Sequence, residues 1–219
     1  MLRMAAFLLL AIPLAAFAQA RLADGFAQLP AGASIVLMPA DIELFEISAG
    51  GVVEPRADWT KVAAAHIDRR LRSRGALWKE FPVSNDPEID AVLRLHRAVA
   101  DAIIVHHFGS LKLPTKEGRL DWSLGPDAAP LAGRTGADYA LFTWVRDTYA
   151  SDARKATMVV GAFVGAALGG GVQSAYMSLV ELKTGRVVWF NRIRRLSGDL
   201  REAEAASETL DALLKGFPG

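Results

Sequence analysis

Apolar positions along this chain repeat with two different periods, and the changes between them predict the elements. The run "ASIVLMP" at 33–39 is continuous, β-branched and bounded by Gly32 and Pro39, as a buried strand is. "DIELFEIS" then alternates Ile42, Leu44 or Phe45, and Ile47 with acids before ending at "AGGVVEP". From 58 to 74 the period becomes helical: Trp59, Val62, Ala63, Ile67 and Leu71 form one stripe, basic residues crowd the last turn, and Gly75 stops it. "ALWKEFPV" reads as a second strand. Asp86 and Pro87 then open the most regular helix, as an N-cap acid followed by proline at the first helical position. Ile89, Val92, Leu93, Ala100, Ile103 and Ile104 share its apolar face, and Gly109 ends it.

After a loop at 110–125 and a short helix at 128–134, the β pattern is strongest. "ADYALFTWVRD" at 137–147 precedes "AYMSLVEL" and "RVVWFNRI", which flank Lys183-Thr184-Gly185 as a hairpin turn with glycine at positive φ. Asp199 and Glu202 suggest a capping box for a final helix that buries Ala203, Ala206, Leu210, Leu213 and Leu214. The order β-α-β-α-(α)-β-β-β-α predicts an α/β fold: a mixed sheet flanked by helices, with a C-terminal antiparallel hairpin. No long internal repeat interrupts it.

One stretch fits neither period. "MVVGAFVGAALGGG" at 158–171 has no charge, and Gly161, Gly165 and Gly169 recur every four residues. On a helix they would share a face open to close approach by another helix. Residues 156–172 would span about 25 Å as a helix, short of a hydrocarbon core of roughly 30 Å. Each interior glycine also costs up to about 1 kcal/mol relative to alanine, so a helix here needs tertiary support. Three readings stand: a packed segment of the core, which leads; an assembly contact or docking segment; and membrane insertion. Gly161, Gly165 and Gly169 are the candidate contact residues for the second and third.

The N-terminus adds a location. Arg3, the apolar run "MAAFLLLAIPLAAF" and Ala18-Gln19-Ala20 have the charge, length and small-residue site of a cleaved export signal. The expected organisation is a signal peptide at 1–20 and a single α/β domain at 21–219, with an apolar Gly-rich insertion at 156–172. The chain has no cysteine, so neither a lipid-modified cysteine nor a disulfide is available. The expectation is a periplasmic protein that is not a lipoprotein. Without Arg3 the chain holds 24 basic and 24 acidic residues, which gives no electrostatic reason for a nucleic-acid partner.

Candidate chemistry is sparse. His96 and His107 share a helical face but lie about 16 Å apart along it, too far for one metal ion, and His106 diverges from His107 by about 100°. The chain has no G-x-S-x-G elbow and no S-x-x-K, and "GAALGGG" lacks the Lys-Ser/Thr of a phosphate loop. The acids Glu43, Glu46, Asp138 and Asp147 read as solvated strand edges or caps. "HIDRRLRSR" reads as a solvated helix face. Trp122, in the loop "LDWSLG", is the aromatic residue best placed to meet a partner, or else it anchors the loop. No catalytic residue, metal, cofactor or small-molecule ligand is expected.

Gly136, Asp138 and Tyr139 at the entry to one strand, then Thr184, Gly185, Val187, Val188 and Trp189 around a hairpin, resemble the CsgG-like family of bacterial envelope proteins and the related N-terminal domain of TolB. The resemblance covers 136–217 by wording and 35–108 by element order. The whole chain also resembles a group of uncharacterised exported bacterial proteins of similar length. The likeness implies a non-catalytic envelope domain that assembles with another envelope protein or with itself. It does not imply the family's secretion pore: this chain lacks the channel's lipidated cysteine, and 158–172 lacks the apolar/polar alternation of a barrel strand.

Overall fold

A computed structural model describes residues 20–73, 78–81, 86–163 and 169–219. The expected signal peptide lies outside the described residues except for Ala20, as does Gly165. The elements are β1 (Arg21–Leu22), β2 (Ile35–Leu37), β3 (Asp41–Ile47), β4 (Val53–Pro55), α1 (Ala57–Arg72), β5 (Trp78–Glu80), α2 (Pro87–Ile103), α3 (Ala129–Thr135), β6 (Tyr139–Ala150), α4 (Asp152–Phe163), β7 (Gln173–Glu181), β8 (Val187–Arg195) and α5 (Ala203–Leu213). The predicted α/β architecture is the one observed.

The strands form one mixed sheet in the order β1-β8-β7-β6-β2-β5. β6 is its axis. β2 runs parallel to its first half, with Ile35 opposite Tyr139, and β3 runs parallel to its second half, with Ile47 opposite Ala150. Pro39 lies between these short strands and lacks an N–H for the ladder, which divides what is geometrically one edge into two. β4 folds back on β3, and β7 and β8 extend the other side as the expected hairpin. Gly185 holds φ 70° in the turn, where a Cβ would also strike the Gly125 carbonyl.

Side-chain alternation gives the sheet two buried faces. α1 and α5 cover one through Ile67, Leu71, Leu141, Val145, Met177, Trp189 and Leu210. α2 and α3 cover the other through Val92, Ile103, Leu131, Phe142, Tyr176 and Phe190. Full burial of each such side chain contributes roughly 1.5–3 kcal/mol, and with no disulfide these two layers carry the fold.

Several local expectations change. Val62 is exposed at 44%, so the buried stripe of α1 is Ala63, Ile67 and Leu71. Asp86 caps α2 as expected, accepting from the Glu88 N–H, but the helix widens into a π-turn at Ile104–Phe108 before Gly109. The Asp199–Glu202 capping box does not form: Asp199 turns instead to the Arg201 amide and guanidinium, and Glu202 caps α5 with no side-chain bond. The helix end is satisfied at its other terminus by Asn191 of β8, whose Nδ2 donates to the Leu213 carbonyl at 2.6 Å and the Ala212 carbonyl at 3.0 Å.

Candidate functional site

At one end of the sheet β3, β6, β7 and β8 terminate side by side. Ile47 faces Ala150, Asp147 faces Gln173, and Gln173 faces Arg195. Here the chain leaves the sheet at Ser151 and returns at Val172, forming an arm. Its two legs are zipped by Thr148 N–H to Val172 O and by Ala150 N–H to Gly170 O at 2.9 Å. Gly171 sits between them at φ 140°, where a Cβ would collide with the Thr148 carbonyl. A glycine is obligatory there on both counts.

α4 is the outgoing half of the arm. Ser151 caps it, its Oγ accepting from the Arg154 N–H at 3.0 Å, and Asp152 pairs with Lys155. Arg154 steadies the base by donating to the Ala49 and Gly169 carbonyls, each at 3.4 Å. Beyond this charged first turn the helix is apolar and bare: Val159 is 59% exposed, Val160 65% and Phe163 86%, and Gly161 is its one buried residue. The leading expectation, that this stretch fills the core, is therefore overturned for the described residues. Apolar side chains follow one another here without a polar face, but the helix projects from the sheet end instead of lying on it.

The same end exposes Val52 and Val53 beside the β3–β4 turn and Leu196 after β8. Of ten large hydrophobic side chains exposed among the described residues, six belong to elements that meet at this end. On the α2 side of the sheet, Arg97 lies over the Trp144 ring at 4.3 Å and pairs with Asp41 at 3.0 Å. The next row on that face, toward this end, is Arg146, Ser174 and Arg194.

Beneath the arm root lies a polar cluster that sequence reading missed. Asp147 was expected at a solvated strand edge but is 2% exposed. Its Oδ2 accepts from the Tyr149 hydroxyl at 2.6 Å and from Gln173 Nε2. Gln173 Oε1 in turn accepts from Arg195 Nε at 2.6 Å and Thr209 Oγ1 at 3.1 Å, and the Tyr149 hydroxyl accepts from the Leu200 N–H at 2.7 Å. Burial outweighs these hydrogen bonds and pushes the Asp147 carboxyl up to about 6. Period-2 alternation places 147 on the α5 face, and that is the sequence signal that could have found it.

Gly161 and Gly169 do not share a helix, since Gly169 lies past Phe163 with nothing within 4 Å of a Cβ built on it. Trp122 is half-buried and belongs to a loop stitched to the β7–β8 turn: its carbonyl accepts from Val187 N–H and Leu124 N–H donates to Gly185. Lys116 Nζ stands 5.1 Å from its ring centroid. This is the geometry of a loop anchor.

His96 Nε2 meets Ser178 Oγ at 2.6 Å, the spacing of a nucleophile and base, but both are buried and the imidazole stacks on Phe142 at 3.7 Å. Burial lowers its pKa to about 3, so it is a neutral core hydrogen-bonding group with no route to a substrate. Among the described residues no three His, Asp or Glu side chains converge as a metal site. An open cleft of about 520 Å³ at the opposite sheet end holds Asp138, Tyr139, Glu181 and Lys183. Asp138 is occupied there, accepting from both the Ser34 amide and hydroxyl at 2.8 Å.

Fold and site together define an open mixed-sheet α/β protein with a projecting apolar arm. No family model matches the chain, and no curated protein matches it. Among solved structures it is similar to the PelC dodecamer from Paraburkholderia phytofirmans, at 15% identity over 93% of this chain and 99% of that one, with a TM-score of 0.44. It is also similar to the LpoB C-terminal domain from Salmonella enterica, at 12% identity over 79% and 87% of the two chains, with a TM-score of 0.30. Neither likeness is close enough to carry an argument about activity.

Proposed function

We propose that this chain is an exported, non-catalytic protein of the bacterial envelope, resident in the periplasm, that works by protein–protein assembly through its arm. The observation that carries the reading is the exposure of Val159, Val160 and Phe163 on a helix whose base is fixed by hydrogen bonds. Exposing three large apolar side chains to water on an ordered element has a function when another protein covers them. Gly161 of α4 and Gly169 of the returning leg are the described members of the proposed contact set, and Gly165 is its sequence-based member. The partner is a second copy or another envelope protein. Export rests on the charge, apolar run and small-residue site of the first 20 residues.

Membrane contact is the second reading, favoured by the same bare apolar helix. No helix among the described residues is long and apolar enough to cross a membrane, and α4 spans only about 18 Å, so contact would be by its tip. Fractionation of cells making the full chain decides between them. Recovery in the soluble periplasmic fraction, with cross-linking from a cysteine placed at Val160 that Phe163→Asp abolishes, supports assembly. Retention in a carbonate-washed membrane pellet that Phe163→Asp releases replaces it with membrane contact.

A further inference from the structure

Asp147 stands where the arm joins the sheet, and its surroundings are unusual for a carboxylate. It is almost fully buried and accepts two side-chain hydrogen bonds, and among the described residues no Lys or Arg forms an ion pair with it. The nearest guanidinium, Arg195, is bonded instead to Gln173 and Thr209. The donors to Asp147 come from both legs of the arm: Tyr149 lies just before the exit at Ser151, and Gln173 just after the return at Val172. A cavity of about 70 Å³, lined by Asp147, Tyr149, Gly170, Gly171, Gln173 and Gly198, adjoins the site and has room for water.

We infer that Asp147 is a proton-operated latch at the arm root, closed when the carboxyl is protonated and biased toward opening when it ionises. Deeply buried negative charge without an ion pair is costly, and the charge is relieved when the legs part and water reaches it. Protonation removes that cost and leaves the hydrogen bonds to Tyr149 and Gln173 intact on the other oxygen lone pairs. The latch would regulate presentation of the assembly surface, and in that respect it rests on the function proposed above.

The other charged and titratable groups facing the site do not account for such a switch. Tyr149 is raised above its usual value by burial and by Asp147, so it stays a neutral donor. Arg195 is lowered by burial but remains cationic, held so first by the Asp147 carboxylate and then by Glu208 of α5; its reciprocal pull on Asp147 is weaker than the burial that raises the carboxyl. Asp199 is kept ionised by its bonds to Arg201, whose guanidinium lies 4.5 Å from the Tyr149 ring centroid. His66 of α1 meets the Arg201 carbonyl at 3.2 Å and not the carboxylate. With Asp147 at about 6 in the closed state and near its ordinary value in the open one, the opening equilibrium grows up to about 100-fold between pH 4 and pH 8.

The test is amide hydrogen exchange on the mature full chain between pH 4.5 and 8, corrected for intrinsic rates, following peptides that contain Thr148, Ala150 and Val172. The expected result is protection that falls as pH rises, with a midpoint near 6. Asp147→Asn should remain protected throughout, and His66→Gln should keep the wild-type midpoint. Protection that does not vary with pH, or a midpoint that persists in Asp147→Asn, overturns the latch. If Asp147→Asn does not fold, carboxyl 13C NMR of the wild-type chain decides: titration near 6 supports the latch and titration near 4 overturns it. Repeating the exchange on Phe163→Asp separates the two claims, because the latch must operate there even if no assembly is ever detected.

Discussion

Asp147 and Gln173 are register partners on β6 and β7, and the Gln173 side-chain amide donates to the Asp147 carboxylate across the ladder. They are the last directly opposed pair before the chain leaves the sheet, so this side-chain bond adds to the Thr148–Val172 and Ala150–Gly170 backbone bonds that join the two legs of the arm. Through Arg195 and Thr209 the same chain of bonds reaches β8 and α5.

Stability should respond to this carboxylate in a direction opposite to the usual surface acid. Its folded-state pKa, about 6, lies above the ordinary 3.8. The native state therefore binds the proton more tightly, and the contribution is fully present below about pH 4 and is lost as pH rises through about 6. The loss amounts to roughly 2–3 kcal/mol. Asp147→Asn should unfold at higher urea than wild type at pH 8 and lose that advantage at pH 4.5. A wild type that is the more stable of the two at pH 8 would refute the assignment.

His96 acts in the reverse sense. Burial lowers it to about 3, so the native state resists protonation, and stability is lost as pH falls below about 6.5 toward 3. His96→Leu should flatten the acid limb of a stability profile between pH 6 and 4. It should also cost about 1–3 kcal/mol at pH 7, because Ser178 loses its partner.

Two glycines of the apolar stretch should separate cleanly. Gly171→Ala forces a Cβ into the Thr148 carbonyl at a φ of 140°, and should cost at least about 2 kcal/mol in urea unfolding. Gly169→Ala meets open space and should change stability by less than about 0.5 kcal/mol. Equal effects would contradict the described path of the returning leg.

Phe163→Asp should leave stability within about 0.5 kcal/mol of wild type, because the ring is 86% exposed. Sedimentation velocity should show any self-association reduced or abolished by the same change. A loss of stability as large as that of a core truncation would mean that Phe163 packs within its own chain.

Asn191 closes the C-terminal turn of α5 by donating to the Ala212, Leu213 and Lys215 carbonyls. Asn191→Ala leaves those buried acceptors without their donor and should lower the unfolding free energy by about 1–3 kcal/mol. Thermal melts followed by circular dichroism measure it.

The sequence by itself determined the elements that repeat a pattern. Periodicity placed α1, α2, β6 and the β7–β8 hairpin, because a residue's facing within one element depends only on its spacing from its neighbours. Asp86 and Gly185 were legible for the same reason, since caps and turns are satisfied within a few residues. Tertiary structure alone decided the rest. An uncharged run such as 158–163 has the same composition whether it is buried or bare, and only its departure from the sheet end leaves Phe163 in water. Asp199 had two local partners within reach, and Arg201 supplied a charged one where Glu202 did not. Asp147 looks like any strand-end acid until Gln173 of β7 and the segment after β8 close around it, because burial is a property of what arrives from elsewhere in the chain.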